Sequence, residues 1–352
     1  MDMNDIRQAI DAVDDMLLSK LMERHGLAQQ LGLEKRRLNI PIFDPARELE
    51  IMERLTATNN ARLDDRAVHA IWREIFSASR QAQLPIRVAY LGPEGTFTHQ
   101  AALARFGSSA ELLASQTISA AFNLVLNSVV DYAVLPVENT MHGIVGETLD
   151  LLGAAKQPFI TGELTLPIHF VFSSRAEKLE SIKKIYSKNE AFLQCSTFLM
   201  QPALSNAARI PVSSTSEAAR TAVNDPEGAA LSSEIAASQA GVPILFHHVE
   251  NNSANKTRFL VLGAARPTPT GKDKTSVFAK VPNVSGGLEG LLRSFREHNI
   301  NLTKIESRPM DAAANFETWF YIDMQGHAFD AGIKTVIDRH ELVWLGSYPV
   351  SE

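Results

Sequence analysis

The first 37 residues carry cationic side chains on what should be the apolar face of a helix. Apolar residues recur at spacings of three and four, which predicts a helix from about Asp5 to Arg37. The apolar members of this face are Ile6, Ile10, Val13, Leu17 and Leu21. The same spacing continues to Arg24, Ala28, Leu31 and Lys35. Burying such charges is costly unless an anion meets them, so the face is predicted to bind a small, multiply charged anion.

Charge and apolar content narrow the class of protein. The 352 residues include 34 basic and 40 acidic side chains, a net charge of -6, so nothing indicates a nucleic-acid partner. There is no apolar run long enough to span a membrane, and the first residues resemble a helix start rather than a secretory signal. The single Cys195 cannot form an intramolecular disulfide. We therefore expect a cytoplasmic protein that does not bind membranes.

Three segments with different patterns predict three domains: 1–84, 86–265 and 273–350. The first contains no convincing strand, and Asp44-Pro45 and Asp64 indicate the starts of two further helices. A first helix of about 50 Å is too long for a compact bundle of this size, which favours an all-α, intertwined homodimer. Whether dimers pair into tetramers is left open.

The second segment alternates strands and alanine-rich helices, an α/β pattern. Its predicted strands are Arg87–Leu91, Tyr132–Val137, Ile168–Phe172, Ile182–Tyr186 and Arg258–Leu262, and its helices include Ser119–Asn127 and Ser216–Val223. The third segment, which we call the C-terminal module, has the predicted order βαββαβ of an α+β ferredoxin-like fold. Its predicted elements are Thr275–Val281, Gly287–His298, Asn301–Ser307, Phe316–Met324, Phe329–Asp338 and Glu341–Leu345.

Polar residues at key positions of the helical segment resemble the active site of the all-helical chorismate mutase family. On the third helix, Val68, Trp72 and Ile75 are followed by polar Ser79 and Gln83 on the same face. The matching positions, which span nearly all of residues 5–83, are Arg7, Arg24, Lys35, Asp44, Arg47, Glu48, Ser79 and Gln83. The resemblance implies rearrangement of chorismate to prephenate, a pericyclic step that needs no nucleophile, acid, metal or cofactor.

The enzyme for this step must hold a dicarboxylate in a folded conformer and stabilise charge on the breaking ether oxygen. The resemblance implies that Lys35 and Gln83 donate hydrogen bonds to the ether oxygen and that Glu48 accepts from the ring hydroxyl. The residues implied to bind substrate are Arg24, Arg47, Asp44, Ser79 and, from the partner subunit, Arg7. Arginine suits this task because its guanidinium clamps carboxylates in a bidentate manner.

Three motifs in the second segment resemble prephenate dehydratase over residues 86–265. They are Gly92-Pro93-Glu94-Gly95-Thr96, Pro136-Val137-Glu138-Asn139-Thr140 and Thr257-Arg258-Phe259. The resemblance implies two α/β lobes around a cleft, as in periplasmic binding proteins, and conversion of prephenate to phenylpyruvate with loss of carbon dioxide and hydroxide. It implies that Thr257 donates a hydrogen bond to the leaving hydroxyl. The other implied pocket residues are Glu138, Asn139, Ser187 and Gln194, with Arg258 assigned to a substrate carboxylate.

The sequence departs from this family in two places and offers no metal site. Lys188-Asn189 stands where relatives often have His-Pro, and Ser213 stands where some have glutamate. His247-His248 has no third ligand at a familiar spacing, so no metal is predicted. The glycine turn matches neither a dinucleotide fingerprint nor a P-loop, so no cofactor is predicted.

Two motifs of the C-terminal module resemble the ACT regulatory domain of the same dehydratases. They are Gly286-Gly287-Leu288, with Gly287 in place of the usual alanine, and Glu306-Ser307-Arg308-Pro309. The resemblance implies a phenylalanine site between subunits, so that deleting residues 273–352 should leave a dehydratase that phenylalanine no longer inhibits.

In this order the segments resemble the bifunctional chorismate mutase–prephenate dehydratase family. The alternatives are a dehydratase whose helical segment serves only dimerisation, and a non-catalytic amino-acid sensor.

Overall fold

The structure is a computed structural model that describes residues 1–38, 40–60, 62–155, 157–282, 284–309 and 318–350. The chain forms two compact units. The first consists of residues 1–87 with 106–111, and the second of residues 88–105 with 112–352. None of the described helices combines the length and apolar character that a membrane span requires.

The first unit is built from three helices. They are α1 (Met3–Arg37), α2 (Pro45–Asn59) and α3 (Asp65–Gln83). The starts of the second and third were predicted correctly, and the first begins two residues before the predicted Asp5. The Asp44 carboxylate accepts from the Arg47 backbone N–H at 3.0 Å, and Asp64 accepts from the Arg66 N–H at 2.7 Å. These bonds satisfy amides that have no partner within the first turn of a helix.

Most of α1 lies uncovered in the single chain. Its buried residues are Ala28 and Gly32, both in its C-terminal half. The apolar stripe from Ile6 to Leu21 is instead 43–56% exposed at every one of its five positions. The predicted core face therefore becomes a core only when another surface covers it.

The second unit contains fifteen strands, β1 beginning at its boundary, and nine helices among the described residues. In chain order the first part is β1 (Arg87–Leu91), α4 (Phe97–Phe106), β2 (Glu111–Ser115), α5 (Ile118–Leu126), β3 (Tyr132–Asn139), β4 (Gly143–Ile144), α6 (Gly146–Ala154) and β5 (Phe159–Pro167). There follow β6 (Val171–Ser174), β7 (Lys184–Ser187), α7 (Asn189–Gln194), α8 (Ser196–Leu199), β8 (Ala208–Pro211), α9 (Thr215–Ala222), β9 (Gly228–Ser232), α10 (Glu234–Ala240), β10 (Ile244–Phe246) and β11 (Lys256–Gly263).

These elements form two lobes, as predicted. The sheet of the first lobe has the order β2-β1-β3-β11-β5, with β4 beside β3, and that of the second lobe has the order β10-β6-β9-β7-β8. Each sheet has its own apolar core. The chain thus returns to the first lobe through β11, which lies between β3 and β5. This return places Thr257 beside the end of β3.

Some strand predictions were wrong or incomplete. The predicted strand Ile168–Phe172 begins three residues later, at Val171. Strands β2, β4, β5, β8, β9 and β10 were not predicted. Strand β9, for example, has the sequence Gly-Ala-Ala-Leu-Ser and lacks the β-branched residues that mark strands. Its five residues are all buried between neighbouring strands.

The C-terminal module has the predicted βαββαβ order. Its elements are β12 (Asp273–Lys280), α11 (Gly287–Glu297), β13 (Leu302–Pro309), β14 (Thr318–Gln325), α12 (Ala331–Arg339) and β15 (Val343–Pro349). The antiparallel sheet has the order β13-β14-β12-β15. The first two positions of the predicted strand Phe316–Met324 lie outside the described residues.

The C-terminal module shares its core with the first lobe. Phe278, Tyr321 and Tyr348 pack in the same apolar cluster as Ile160 and Leu260. The module therefore completes the core of the first lobe. Deleting residues 273–352 would expose this core, so a deletion cannot separate loss of regulation from loss of folding.

Candidate active sites

Polar side chains of α1 and α3 meet in the first unit. The Arg24 guanidinium donates to the Ser79 hydroxyl and lies 5.7 Å from the centroid of the Phe76 ring. The Ser79 hydroxyl in turn donates to the Ile75 carbonyl at 2.6 Å. Ser79 is thus held as an acceptor for Arg24, which fixes the cation on the inner face of α1.

Lys35 and Glu48 extend this group toward the start of α2. Lys35 Nζ donates to the Ile42 carbonyl at 2.9 Å. Burial lowers the pKa of Lys35, while the Asp44 and Glu48 carboxylates act in the opposite direction. An ammonium that is half-buried and held by one carbonyl keeps two further N–H groups for a ligand.

Gln83 is the polar residue at the end of α3. It donates to the Ser79 carbonyl at 3.1 Å, while its own Oε1 is buried with no hydrogen-bond partner among the described residues. A Cβ at Gly32 would lie 2.8 Å from Gln83 atoms, so only glycine lets α1 approach α3 this closely. Gln83 was predicted as a site residue from the sequence, whereas the close contact at Gly32 was not predicted.

Arg80 is a residue of this site that the sequence analysis missed. It is buried, pairs with Glu48, donates to the Phe106 carbonyl at 2.6 Å and lies 5.4 Å from the Phe43 ring centroid. The spacing Phe76, Arg80, Gln83 would have identified it as a second inner-facing position of α3. Arg80 supplies the positive charge that pairs with Glu48.

Two predicted residues do not join this group within one chain. Arg47 is exposed and pairs with Glu50 at 2.6 Å. Arg7 lies in the exposed half of α1, about 26 Å from Arg24 along the helix axis. The single chain therefore brings together Arg24, Lys35, Glu48, Ser79 and Gln83, with Asp44 at the adjacent helix start.

The second group lies where the end of β3 is beside the start of β11. Thr257 pairs with Asn139 across the ladder, and Asn139 Nδ2 donates to Thr257 Oγ1 at 2.8 Å. Thr257 is buried, and its hydroxyl hydrogen has no acceptor among the residues that the structure describes. A hydroxyl that receives one hydrogen bond from the protein is free to donate its own hydrogen to a ligand.

Gln194 reaches the same group from the second lobe. Its Oε1 accepts from Asn255 Nδ2 at 3.2 Å, and its Nε2 lies 2.6 Å from His142 Nε2. Asn255 Oδ1 also accepts from Asn139 at 2.9 Å. Amides from both lobes therefore form a hydrogen-bonded chain, Gln194–Asn255–Asn139, that ends at Thr257. His142, at the other end of this chain, was not predicted from the sequence.

Ser187 and Ser213 lie in other environments. The Ser187 hydroxyl is buried and donates to the Leu231 carbonyl at 2.7 Å, without contact to the Thr257 group. The Ser213 N–H donates to the Glu217 carboxylate at 2.8 Å, and the hydrogen bond from the Ser213 hydroxyl lowers the pKa of Glu217. A carboxylate is therefore present beside Ser213 although position 213 itself has none.

The first glycine motif packs against the second lobe. Gly95 has φ +85°, and a Cβ there would lie 2.9 Å from the Ser216 hydroxyl and 3.1 Å from Ala236. Its carbonyl accepts from Ser233 at 2.6 Å. The Ser216 hydroxyl is buried at the start of α9 and has no hydrogen-bond partner among the described residues. The motif therefore forms a tight junction of the two lobes.

Glu138 and Arg258 face the C-terminal module. Glu138 pairs with Lys304 at 2.7 Å. The Nε, Nη1 and Nη2 of Arg258 contact Glu163 at 2.7 Å, Asp323 at 2.6 Å and the Tyr348 hydroxyl at 3.1 Å. Each of the three nitrogens of Arg258 thus donates to a protein acceptor, which accounts for three of its five N–H groups. Its assignment to a substrate carboxylate stays a prediction.

Three residues of the second lobe form a cluster with the donor types of a metal site. Glu250 pairs with His169 at 2.7 Å and lies 3.6 Å from His248. Its other oxygen accepts from the Phe170 N–H at 2.9 Å. The sequence analysis missed His169 and Glu250 because they are far from each other in the chain. These hydrogen bonds explain the buried carboxylate without a metal, and the absence of a metal stays a prediction.

The two predicted regulatory motifs lie on different elements of the C-terminal module. Gly286, Gly287 and Leu288 form the start of α11, beside a cavity of about 120 Å³ that Gly287, Lys280 and His340 help to line. Glu306, Ser307 and Arg308 lie on the edge strand β13, which β14 separates from β12. Arg308 forms a bidentate pair with Asp150 at 2.7 and 2.9 Å.

Comparisons with known proteins match both the helical segment and the α/β segment. The Chorismate mutase type II family model matches residues 6–84, and the Prephenate dehydratase model matches residues 88–267. The bifunctional chorismate mutase/prephenate dehydratase of Aquifex aeolicus (strain VF5) is 38% identical, covering 99% of this chain and 98% of the relative. That of Neisseria gonorrhoeae (strain ATCC 700825 / FA 1090) is 37% identical, covering 98% and 96%.

A solved structure is also similar. The prephenate dehydratase of Arthrobacter aurescens in complex with L-Phe is 32% identical, with a TM-score of 0.68, covering 75% of this chain and 90% of that chain. Both catalytic segments, in the same order and over nearly the full length, are thus shared with named enzymes. The chain belongs to the family of bifunctional chorismate mutase/prephenate dehydratases and carries both enzyme domains.

Proposed function

We propose that the Arg24–Lys35–Gln83 group rearranges chorismate and that the Thr257–Asn139 group dehydrates prephenate. The observation that carries the second assignment is the Thr257 hydroxyl, which accepts from Asn139 and has its own hydrogen free. The test is to supply chorismate and follow prephenate and phenylpyruvate separately. The assignment predicts that both products form in sequence.

In the proposed mutase step the protein binds and orients chorismate and forms no covalent bond with it. Arg24 holds one carboxylate, while Lys35 and Gln83 place N–H donors at the ether oxygen as its bond to carbon breaks. The buried Gln83 Oε1 has no hydrogen-bond donor among the described residues. When the ligand binds, we expect this oxygen either to accept from a water molecule or to exchange places with Nε2 by rotation of the amide. Glu48, released from part of its contact with Arg80, accepts from the ring hydroxyl.

In the proposed dehydratase step one carboxylate leaves as carbon dioxide and its bonding electrons enter the ring. The ring hydroxyl departs at the opposite end, and the Thr257 hydroxyl donates a hydrogen bond to it as negative charge develops. A proton from solvent completes the water that is released. Asn139 fixes the threonine rotamer, because its amide holds Thr257 Oγ1 at 2.8 Å. Threonine is a weak acid, so donation of a hydrogen bond describes its role.

The exposed stripe of α1 supports a homodimer in which Arg7 enters the partner's mutase site. Arg7 is too far from Arg24 to reach it within one chain, and the apolar stripe beside Arg7 lies uncovered. A second copy running along α1 would cover the stripe and bring Arg7 to the group. The dimer thus explains both the exposed face and the residue missing from the site.

Leu17→Asp is expected to produce a monomer with little mutase activity, because a carboxylate would be buried in the proposed interface. Sedimentation velocity and mutase assays test this. Leu33→Asp is the control, since Leu33 is similarly exposed but points away from the stripe. A dimeric, active Leu17→Asp variant would contradict the proposed interface.

We also propose that the C-terminal module is an ACT domain through which phenylalanine inhibits the dehydratase. The βαββαβ order and the similarity to a dehydratase bound to L-Phe support this. The proposed site joins the helix start with Gly286 in one copy to the edge strand with Ser307 in another. Helix-start amides suit the ligand carboxylate.

Gly286→Ala is expected to weaken inhibition by phenylalanine without loss of the uninhibited dehydratase rate. Gly286 has φ +82°, and an added Cβ meets no atom within 4 Å, so the change costs about 1–2 kcal/mol of local backbone strain. Gly271→Ala is a matched control with φ +85° and equally open surroundings. Inhibition curves for both variants test this, and equal curves would count against the site.

A further inference from the structure

Four charged residues on four strands form a closed square between the first lobe and the C-terminal module. Glu138 on β3 lies directly opposite Arg258 on β11, and Lys304 on β13 lies directly opposite Asp323 on β14. Across the gap, Lys304 pairs with Glu138 at 2.7 Å and Arg258 pairs with Asp323 at 2.6 Å. Each sheet thus contributes one acid and one base, and both ion pairs connect the two sheets.

The square is charge-balanced and partly buried. The Lys304 side chain is 17% exposed and that of Glu138 34%. The Asp323 side chain is 1% exposed and that of Arg258 12%. Asp323 also accepts from Ser276 at 2.6 Å, and Glu163 next to Arg258 is paired with Lys274 at 2.7 Å. Buried ion pairs with satisfied hydrogen bonds hold a fixed geometry, and removing one partner leaves a buried charge without compensation.

The square lies one residue from the proposed dehydratase group. On β3 and β11 the Glu138–Arg258 pair is followed by the Asn139–Thr257 pair. Side chains alternate between the two faces of a sheet, so the charged pair faces the module while Asn139 and Thr257 turn to the other face. Any shift of the charged pair therefore moves the backbone that carries Asn139 and Thr257.

We propose that Lys304 and Asp323 are positioning residues of the dehydratase, which act through Glu138 and Arg258 to set the distance between Asn139 and Thr257. The C-terminal module is then part of the dehydratase site as well as a candidate regulatory module. This inference rests on the proposed role of Thr257. It also gives Arg258, whose three nitrogens each donate to a protein acceptor, a role besides substrate binding.

Lys304→Met is expected to lower dehydratase kcat about 10- to 100-fold with a smaller change in KM, since misplaced catalytic groups cost rate more than binding. Lys304→Arg should restore most of kcat because it keeps the charge. Lys334→Met is the control, since Lys334 forms an exposed pair with Asp338 in the same module. Mutase activity of the full-length chain reports the amount of active protein.

A double-mutant cycle tests the route from Lys304 to Glu138. If Lys304 acts through Glu138, the Glu138→Gln/Lys304→Met double variant should be no slower than Glu138→Gln alone. Independent, multiplying losses would overturn the proposal, and so would a parental kcat in Lys304→Met. Thr257→Val separates the two claims. An active Thr257→Val refutes the proposed dehydratase site, whereas an inactive one beside a fully active Lys304→Met refutes only the role of Lys304.

Discussion

Thr257→Val is expected to lower dehydratase kcat by about 10²–10⁴ while the mutase rate stays unchanged. The substitution keeps the branched shape and removes the hydroxyl that donates to the leaving group, a contribution of the size found for positioned proton donors. The measurement is phenylpyruvate formation from supplied prephenate, with mutase activity on chorismate measured on the same sample.

Thr161→Val provides the matched control. Thr161 is also buried in the sheet of the first lobe, but its hydroxyl donates to the Val261 carbonyl at 3.2 Å and does not touch the Asn139 group. The Thr161→Val variant should retain dehydratase activity, and only its free energy of unfolding should decrease. If the two variants lose the same share of activity, the Thr257 hydroxyl has only a structural role.

Lys35→Ala is expected to reduce mutase turnover by about 10²–10³, the usual loss for one donor to a developing oxyanion, and to leave dehydratase activity intact. The control is Lys20→Ala on the same helix, because Lys20 is exposed and pairs only with Glu23 among the described residues. Mutase rates near those of the parent in Lys35→Ala would remove Lys35 from the site.

The lowered pKa of Lys35 adds a pH dependence with a definite sign. Lys35 must be protonated to donate, and burial lowers its pKa from the ordinary 10.5. The mutase kcat/KM reports groups of the free enzyme, so it should decrease with rising pH, and the decrease should occur at a pH below 10.5. In Lys35→Gln this alkaline fall should disappear. Its persistence there would assign it to another group.

The helical unit was the part most open to prediction from sequence. The starts of its second and third helices follow from local capping by Asp44 and Asp64. Its candidate site residues were named from polar residues at helical spacing together with the resemblance to the mutase family. The sequence analysis missed Arg80 because it counted only the face that contains Ser79. Sequence alone could not show that the apolar stripe of α1 is exposed in the single chain, because its burial depends on contacts with another chain.

The residues of the candidate dehydratase site were predicted from sequence motifs, but the contacts between these residues and the rest of the chain were not. Asn139 and Thr257 were named, and the antiparallel return of β11 beside β3 brings them together. The partners of Glu138 and Arg258 were not foreseen, because Lys304 and Asp323 lie in another segment of the chain. Sequence spacing also could not reveal that the C-terminal module shares the core of the first lobe.

The central claim is that one chain holds two separate sites for consecutive reactions. The most direct measurement supplies chorismate to the parent, Lys35→Ala and Thr257→Val proteins and follows prephenate and phenylpyruvate over time. We expect the parent to form both prephenate and phenylpyruvate. Lys35→Ala should form neither product from chorismate at an appreciable rate, yet it should convert added prephenate. Thr257→Val should accumulate prephenate. Phenylpyruvate formed by Thr257→Val at the parental rate, or loss of both activities in either variant with its fold intact, would contradict it.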